Sequence, residues 1–261
     1  MTTQLLNGIA IEVSGQGAPL LCIHGLGGSS NIWTPVLPAF DGFQVIRFDL
    51  PGSARSALGQ TPLSIEGYVR TVEQVLESLG VDKVHVVAHS MGTIVAAHFA
   101  AKHPQRINSL ALFGPLLAPP DAGRPGIEAR AKLASEGGEP ALQDIADAIV
   151  GGAIAQQTRD QQPAVVALVR ESIMRQSPEG YGQSCGALAK AQPAAVEHIK
   201  APVLLVTGDQ DGVAPVVNVK AFAQRLANAR VVVLEACGHW TTYEKPQACT
   251  AELQAFYRGL K

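Results

Sequence analysis

The chain has 261 residues, 47% of them hydrophobic and 16% charged, enough apolar material for a core that stands without metal or disulfide. Its 20 basic and 22 acidic residues leave a net charge of -2, without the basic stripe that nucleic-acid or anionic-membrane binding requires, so the expected partner is a small molecule. Cys22, Cys185, Cys237 and Cys249 lie far apart with no C-x-x-C pair, which argues against a disulfide framework and for a reducing, cytoplasmic setting.

The first eight residues lack the basic start and apolar stretch of a signal peptide, and no apolar run reaches the ~18 residues of a membrane span. Segments around 5–13 read as an antiparallel start to a sheet. After them, short apolar runs at 19–24, 43–48, 83–88, 107–113, 202–207 and 230–235 read as strands. They alternate with helical patterns at 63–79, 91–102, 217–226 and 246–259, the signature of a mostly parallel, buried sheet flanked by helices. The alternation breaks once, between about 115 and 200. There Ala, Gln and charged residues recur at helical spacing, at 127–134, 141–149 and 164–177, with turns expected at 114–126 and 135–140. The expected architecture is α/β: a core of residues 1–114 and 201–261, with 115–200 as a helical cap insert.

The strongest local signal is Val84-His85-Val86-Val87-Ala88-His89-Ser90-Met91-Gly92, an apolar strand running straight into a helix with a serine at the sharp turn. This is the nucleophile elbow, with Ala88 where G-x-S-x-G has its first glycine. A serine hydroxyl needs a base to take its proton. Of seven histidines, His239 alone follows the last strand on a glycine-bearing loop, at the sheet edge where parallel α/β folds gather their sites. An acid should precede it, after the previous strand, to fix the imidazole tautomer. Gly208-Asp209-Gln210-Asp211 offers two candidates. Asp211 is preferred because the added residues let the loop turn back toward His239, leaving Asp209 as a turn or capping residue.

Acyl transfer also needs backbone N–H donors for an oxyanion. Leu26, in His24-Gly25-Leu26-Gly27-Gly28, and Met91, next after the serine, are placed to supply them. This glycine loop lacks G-x-G-x-x-G and a P-loop lysine, so no nucleotide is expected. His24, Trp33 and Trp240 are read as walls of the pocket. Arg55, after Asp49-Leu50-Pro51-Gly52, reads as a solvated turn arginine ahead of a contact to a substrate anion. The cysteines have no electropositive neighbour in the sequence and read as packing residues. No histidine–carboxylate cluster has metal-ligand spacing, so neither metal nor cofactor is expected. A homo-oligomer is left open.

Together these residues make the chain resemble an α/β-hydrolase from end to end. Within that superfamily it is most similar to the 3-oxoadipate enol-lactonase group, in the elbow, in Ala101-Lys102-His103-Pro104-Gln105-Arg106-Ile107, and in Ser177-Pro178-Glu179-Gly180-Tyr181-Gly182-Gln183-Ser184-Cys185. The resemblance implies cofactor-free hydrolysis of a small carboxylated enol-lactone in aromatic-compound catabolism. Arg124, Arg130, Arg159, Arg170 and Arg175 are then the cap cations that could meet the carboxylate. The leading expectation is hydrolysis of a small ester or lactone through an acyl-serine. Carbon–carbon bond hydrolysis of ring-fission products by the same residues is the alternative, and a non-catalytic ligand binder the third. Retention of all the reactive positions argues against the third. A halide-releasing enzyme is excluded, since it needs a carboxylate where Ser90 stands.

Overall fold

The structure, a computed structural model, describes residues 3–59 and 62–260. Among the described residues, eight strands make one sheet: β1 (Thr3–Leu6), β2 (Ile9–Ser14), β3 (Ala18–Ile23), β4 (Phe43–Phe48), β5 (Val84–His89), β6 (Ile107–Phe113), β7 (Val203–Gly208) and β8 (Ala229–Leu234). Their order is β1-β2-β4-β3-β5-β6-β7-β8. β2 pairs antiparallel with β1 and β4, and every other pair is parallel. Parallel neighbours need crossovers; α1 (Ile65–Ser78) carries the chain from β4 to β5 and α2 (Met91–Lys102) from β5 to β6.

The central strands are largely apolar because both faces are covered. Successive side chains point to opposite faces, so Leu21, Ile23, Val86, Ala88, Leu110 and Leu112 join one buried cluster with α1 and α2. Leu20, Cys22, Val87, Ala111, Phe113, Leu204 and Val206 join the other. Register pairs Ile23 with Ala88, His89 with Phe113 and Phe113 with Val206. The carboxyl ends of β3, β5, β6 and β7 therefore lie level along one edge.

Between β6 and β7 the chain is helical: α3 (Arg124–Ala153), α4 (Gln156–Gln161), α5 (Pro163–Met174) and α6 (Pro178–Ala189). The expected turn at 135–140 is a kink inside α3, where Gly138 adopts φ 65 and ψ -152. A second difference is α6, whose three glycines conceal a helix. Ser177 caps it by accepting from Gly180 N–H, and Pro178 occupies its first turn, a standard start. Small residues are required there, since a Cβ on Gly180 would lie 2.2 Å from Gly52 O and one on Gly182 2.2 Å from Ser135 Oγ. After β7 come α7 (Val216–Gln224), a single turn α8 (Thr241–Glu244) and α9 (Pro246–Arg258). Among the described residues, no helix is long and apolar enough to cross a membrane.

Candidate active site

Ser90 stands between the end of β5 and the start of α2 with φ 53 and ψ -125, a backbone region that a non-glycine residue occupies only when its surroundings force it. The forcing is visible. Ser90 N–H donates to Phe113 O at 2.9 Å, and a Cβ on Gly92 would lie 2.4 Å from His24 O. The glycine admits the close approach that tightens the turn.

The elbow aims Ser90 Oγ at His239, on the loop after β8, to whose Nε2 it donates at 2.8 Å. The other ring nitrogen, Nδ1, donates to Asp211 Oδ2 at 2.9 Å, so the network assigns the tautomer. Ser90 is 8% exposed, His239 5% and Asp211 4%. Asp211 Oδ1 is held by Val213 N–H at 2.8 Å and Ala214 N–H at 2.7 Å, and Thr207 Oγ1 donates to Oδ2 at 3.3 Å. Burial alone would raise the Asp211 pKa. The charge and hydrogen bond of His239, with the two amides, outweigh it and bring the group down to about 2.

Asp209 is exposed and turned away; its Oδ1 accepts Cys237 N–H at 3.1 Å. That bond, with Gln210 N–H to Cys237 O at 2.9 Å, stitches the acid loop to the histidine loop. Two residues beside the imidazole carry no sequence signal of their own. Gly114, at φ 53, faces the ring so closely that a Cβ would sit 2.7 Å from His239 Cε1. His89 Nε2 donates to His239 O at 2.8 Å, leaving its buried Nδ1 without a partner.

The loop after β3 lies against the elbow, since a Cβ on Gly25 would meet Ser90 Cβ at 2.7 Å. Among the described residues, neither Leu26 nor Met91 N–H donates to a backbone carbonyl; Met91 opens α2, where amides have no helical partner. His24 has both nitrogens engaged, with Nδ1 donating to Gly25 O and Nε2 accepting Leu50 N–H, each at 2.8 Å. It ties the loop to the turn after β4 and has no ring nitrogen left for a ligand. Trp33 is fully buried, edge-on to Phe113, and Trp240 stacks on Tyr243 beside His89. Arg55 is drawn into an ion-pair network, not left to solvent: it pairs with Asp49 and Glu12, each at 2.7 Å, while Arg47 meets Glu12 at 2.8 Å. Asp49 is completely buried and holds Ser30 N–H at 2.7 Å, so this turn braces the loop entering the site.

The helices after β6 close over this edge. Ser172 Oγ and Gln176 Nε2 donate to Gly27 O, and a Cβ on Gly27 would meet Ile173 and Tyr181. Of the five cap arginines, Arg124 pairs with Asp121 and Arg170 with Asp147. Arg159 donates to the carbonyls of Gly151 and Ile154. Arg130 lies by Cys185 and Tyr181, where its charge partly offsets the burial that raises both pKa values.

This sheet, with its elbow and level carboxyl edge, is the α/β-hydrolase fold. A family profile for the alpha/beta hydrolase fold matches residues 18–147, and one described as TAP-like protein matches 176–258. The chain belongs to the α/β-hydrolase superfamily and is a hydrolase by that kinship. Over 255 residues it is 29% identical to a 2-hydroxy-6-oxo-6-phenylhexa-2,4-dienoate hydrolase of Comamonas testosteroni, covering 89% of this chain and 85% of that protein. A stretch of 102 residues is 35% identical to an Azorhizobium caulinodans protein that carries the name of a carbamate hydrolase, but spans only 39% of this chain and 38% of the relative. The enol-lactonase from Burkholderia xenovorans LB400 superposes with a TM-score of 0.88 at 24% identity, over 98% of this chain and 100% of that one. At such identity the likeness is one of fold.

Proposed function

We propose that the chain is a serine hydrolase that cleaves a small ester or lactone, of the 3-oxoadipate enol-lactone kind, through an acyl-serine intermediate. The observation that carries this reading is the continuous line from Ser90 Oγ through His239 to a buried Asp211, with bonds of 2.8 and 2.9 Å.

In the mechanism, His239 Nε2 takes the Ser90 proton as Oγ bonds to the substrate carbonyl carbon, and the carbonyl electron pair moves onto oxygen. The Leu26 and Met91 N–H groups donate to that oxyanion; one such donor is worth roughly 10²–10³ in rate. Collapse expels the alkoxide or enolate, which takes its proton from His239. Water then gives a proton to the same nitrogen as its oxygen bonds to the acyl carbon, and collapse breaks the bond to Ser90 Oγ, which recovers the proton from His239 as the acid leaves. Asp211 keeps Nδ1 protonated and stabilises the imidazolium.

A second reading, carbon–carbon bond hydrolysis, is favoured by the relative from Comamonas testosteroni, which matches most of the chain. The residues would be the same and the leaving group a carbanion. The test is labelling with a fluorophosphonate, followed by a panel of p-nitrophenyl esters, lactones and ring-fission acids, each supplied as free acid and methyl ester. Wild type is labelled and Ser90→Ala is not, with turnover falling toward the roughly thousandfold advantage over water that a crippled triad keeps. Failure of wild type to label, or labelling that persists in Ser90→Ala, overturns the nucleophile. Preferred turnover of ring-fission acids favours the second reading. Arg130→Ala should slow the free-acid lactone more than its methyl ester if a substrate carboxylate docks under the cap.

A further inference from the structure

Glu244, the last residue of α8, lies outside the line from Ser90 to Asp211, yet it is 2% exposed and collects four donors. Its Oε2 accepts Ala155 N–H at 2.9 Å, Thr158 Oγ1 at 3.0 Å and Gly238 N–H at 3.0 Å, and its Oε1 accepts Trp240 N–H at 3.1 Å. Two of these donors flank His239 in the chain, and the other two belong to the cap. Among the described residues, no lysine, arginine or histidine forms an ion pair with it. A carboxylate taken out of water without a cation persists only where hydrogen bonds replace its hydration, and here every one of them ends on a backbone amide or a threonine.

The backbone of His239 is gripped from the cap and from the end of β5. Its N–H donates to Ala153 O, the last residue of α3, at 2.8 Å, and its carbonyl accepts from His89 Nε2 at 2.8 Å. Gly238 fills the remaining gap, since a Cβ there would lie 2.6 Å from Ala153 O, 2.7 Å from Ala155 N and 2.8 Å from Glu244 Oε1. The histidine loop cannot shift without breaking bonds to the cap, and the cap segment at 153–158 cannot lift without pulling on the loop.

We propose that Glu244 is a positioning residue, whose carboxylate fixes the histidine loop and ties it to the seated cap, so that His239 reaches Ser90 only while α4 is docked. This rests on the serine-hydrolase reading above. Glutamine is the informative replacement, because it keeps the volume but puts an N–H₂ where an oxygen was. Turned one way it faces Trp240 N–H, turned the other it faces three donors, and either way a donor opposes a donor.

The experiment uses the full chain, with folding checked by circular dichroism. It measures the second-order rate of fluorophosphonate labelling at Ser90, which depends on the serine–histidine pair and not on knowing the substrate. Glu244→Gln should label about tenfold to a hundredfold more slowly, the loss expected when a reacting pair is misplaced by a fraction of an ångström to an ångström. With any ester the wild type turns over, kcat should fall similarly while KM stays within about twofold, the pattern of an interaction felt in the transition state. Thr158→Val, which removes only the cap's side-chain bond, should slow labelling several-fold. Labelling of Glu244→Gln within about twofold of wild type, or a loss fully accounted for by a smaller folded fraction, overturns the proposal. If Glu244 variants do not fold, the decision passes to Thr158→Val, and a wild-type rate there overturns it. A wild type that never labels removes the serine-hydrolase reading, and this proposal with it.

Discussion

Asp209 and Asp211 stand two residues apart on one loop, and their surroundings divide the work between them. Asp211 is buried against His239 with two amides on its far oxygen, whereas Asp209 is exposed and holds only Cys237 N–H. Asp211→Asn should therefore cost on the order of ten thousandfold in kcat, since an amide cannot fix the tautomer. Asp209→Asn, which keeps an oxygen for Cys237, should cost much less, and kcat/KM for the two variants decides the matter. That Ser90, His239 and Asp211 come together was legible because each stands on a loop at a strand's carboxyl end, in the chain order that the proposed chemistry requires. Gly114 and Glu244 were not. A glycine after a strand, or a glutamate in a short polar stretch, becomes informative only when folding brings it against His239 or the cap.

At the level of elements, the parallel strands were readable because burial leaves short, mostly apolar runs, and all six core runs appear with ends within about two residues, the usual slack of such boundaries. The cap was read less well. Helix α6 has glycines where a helix former is expected, and the reason lies outside the helix: Gly180 meets the backbone of Gly52, and Gly182 meets Ser135. Sequence periodicity cannot register a constraint imposed by a partner element. Gly180→Ala should therefore destabilise the chain by about 1–3 kcal/mol, the usual cost of overpacking, although alanine is the better helix former. Urea denaturation measures it. Stability equal to or above wild type would mean that the approach of α6 to the turn after β4 can relax freely.

Across the whole molecule, buried histidines make stability depend on pH. Burial, then repulsion from His239, holds His89 down at about 3, while an unfolded histidine titrates near 6.5. Between these values the unfolded chain takes up a proton that the folded chain refuses, so this contribution is complete above about 6.5 and declines as pH falls toward 3. His24, also lowered chiefly by burial, acts in the same direction, and Asp211 adds a further loss below about 4 as pH approaches 2. In urea melts between pH 4 and 6, replacing His89 by glutamine should reduce the slope of stability against pH by about 1.4 kcal/mol per unit. An unchanged slope would mean that His89 titrates normally in the folded chain. The four free cysteines, all buried, carry a different consequence. Burial lifts Cys185 to about 11 and Cys249 to about 12, and raises Cys22 and Cys237 further. A maleimide attacks only a thiolate it can reach, and the folded chain offers neither thiolate nor access. Each alkylation event therefore records a molecule that has opened, and the chain carries its own clock for how often that happens.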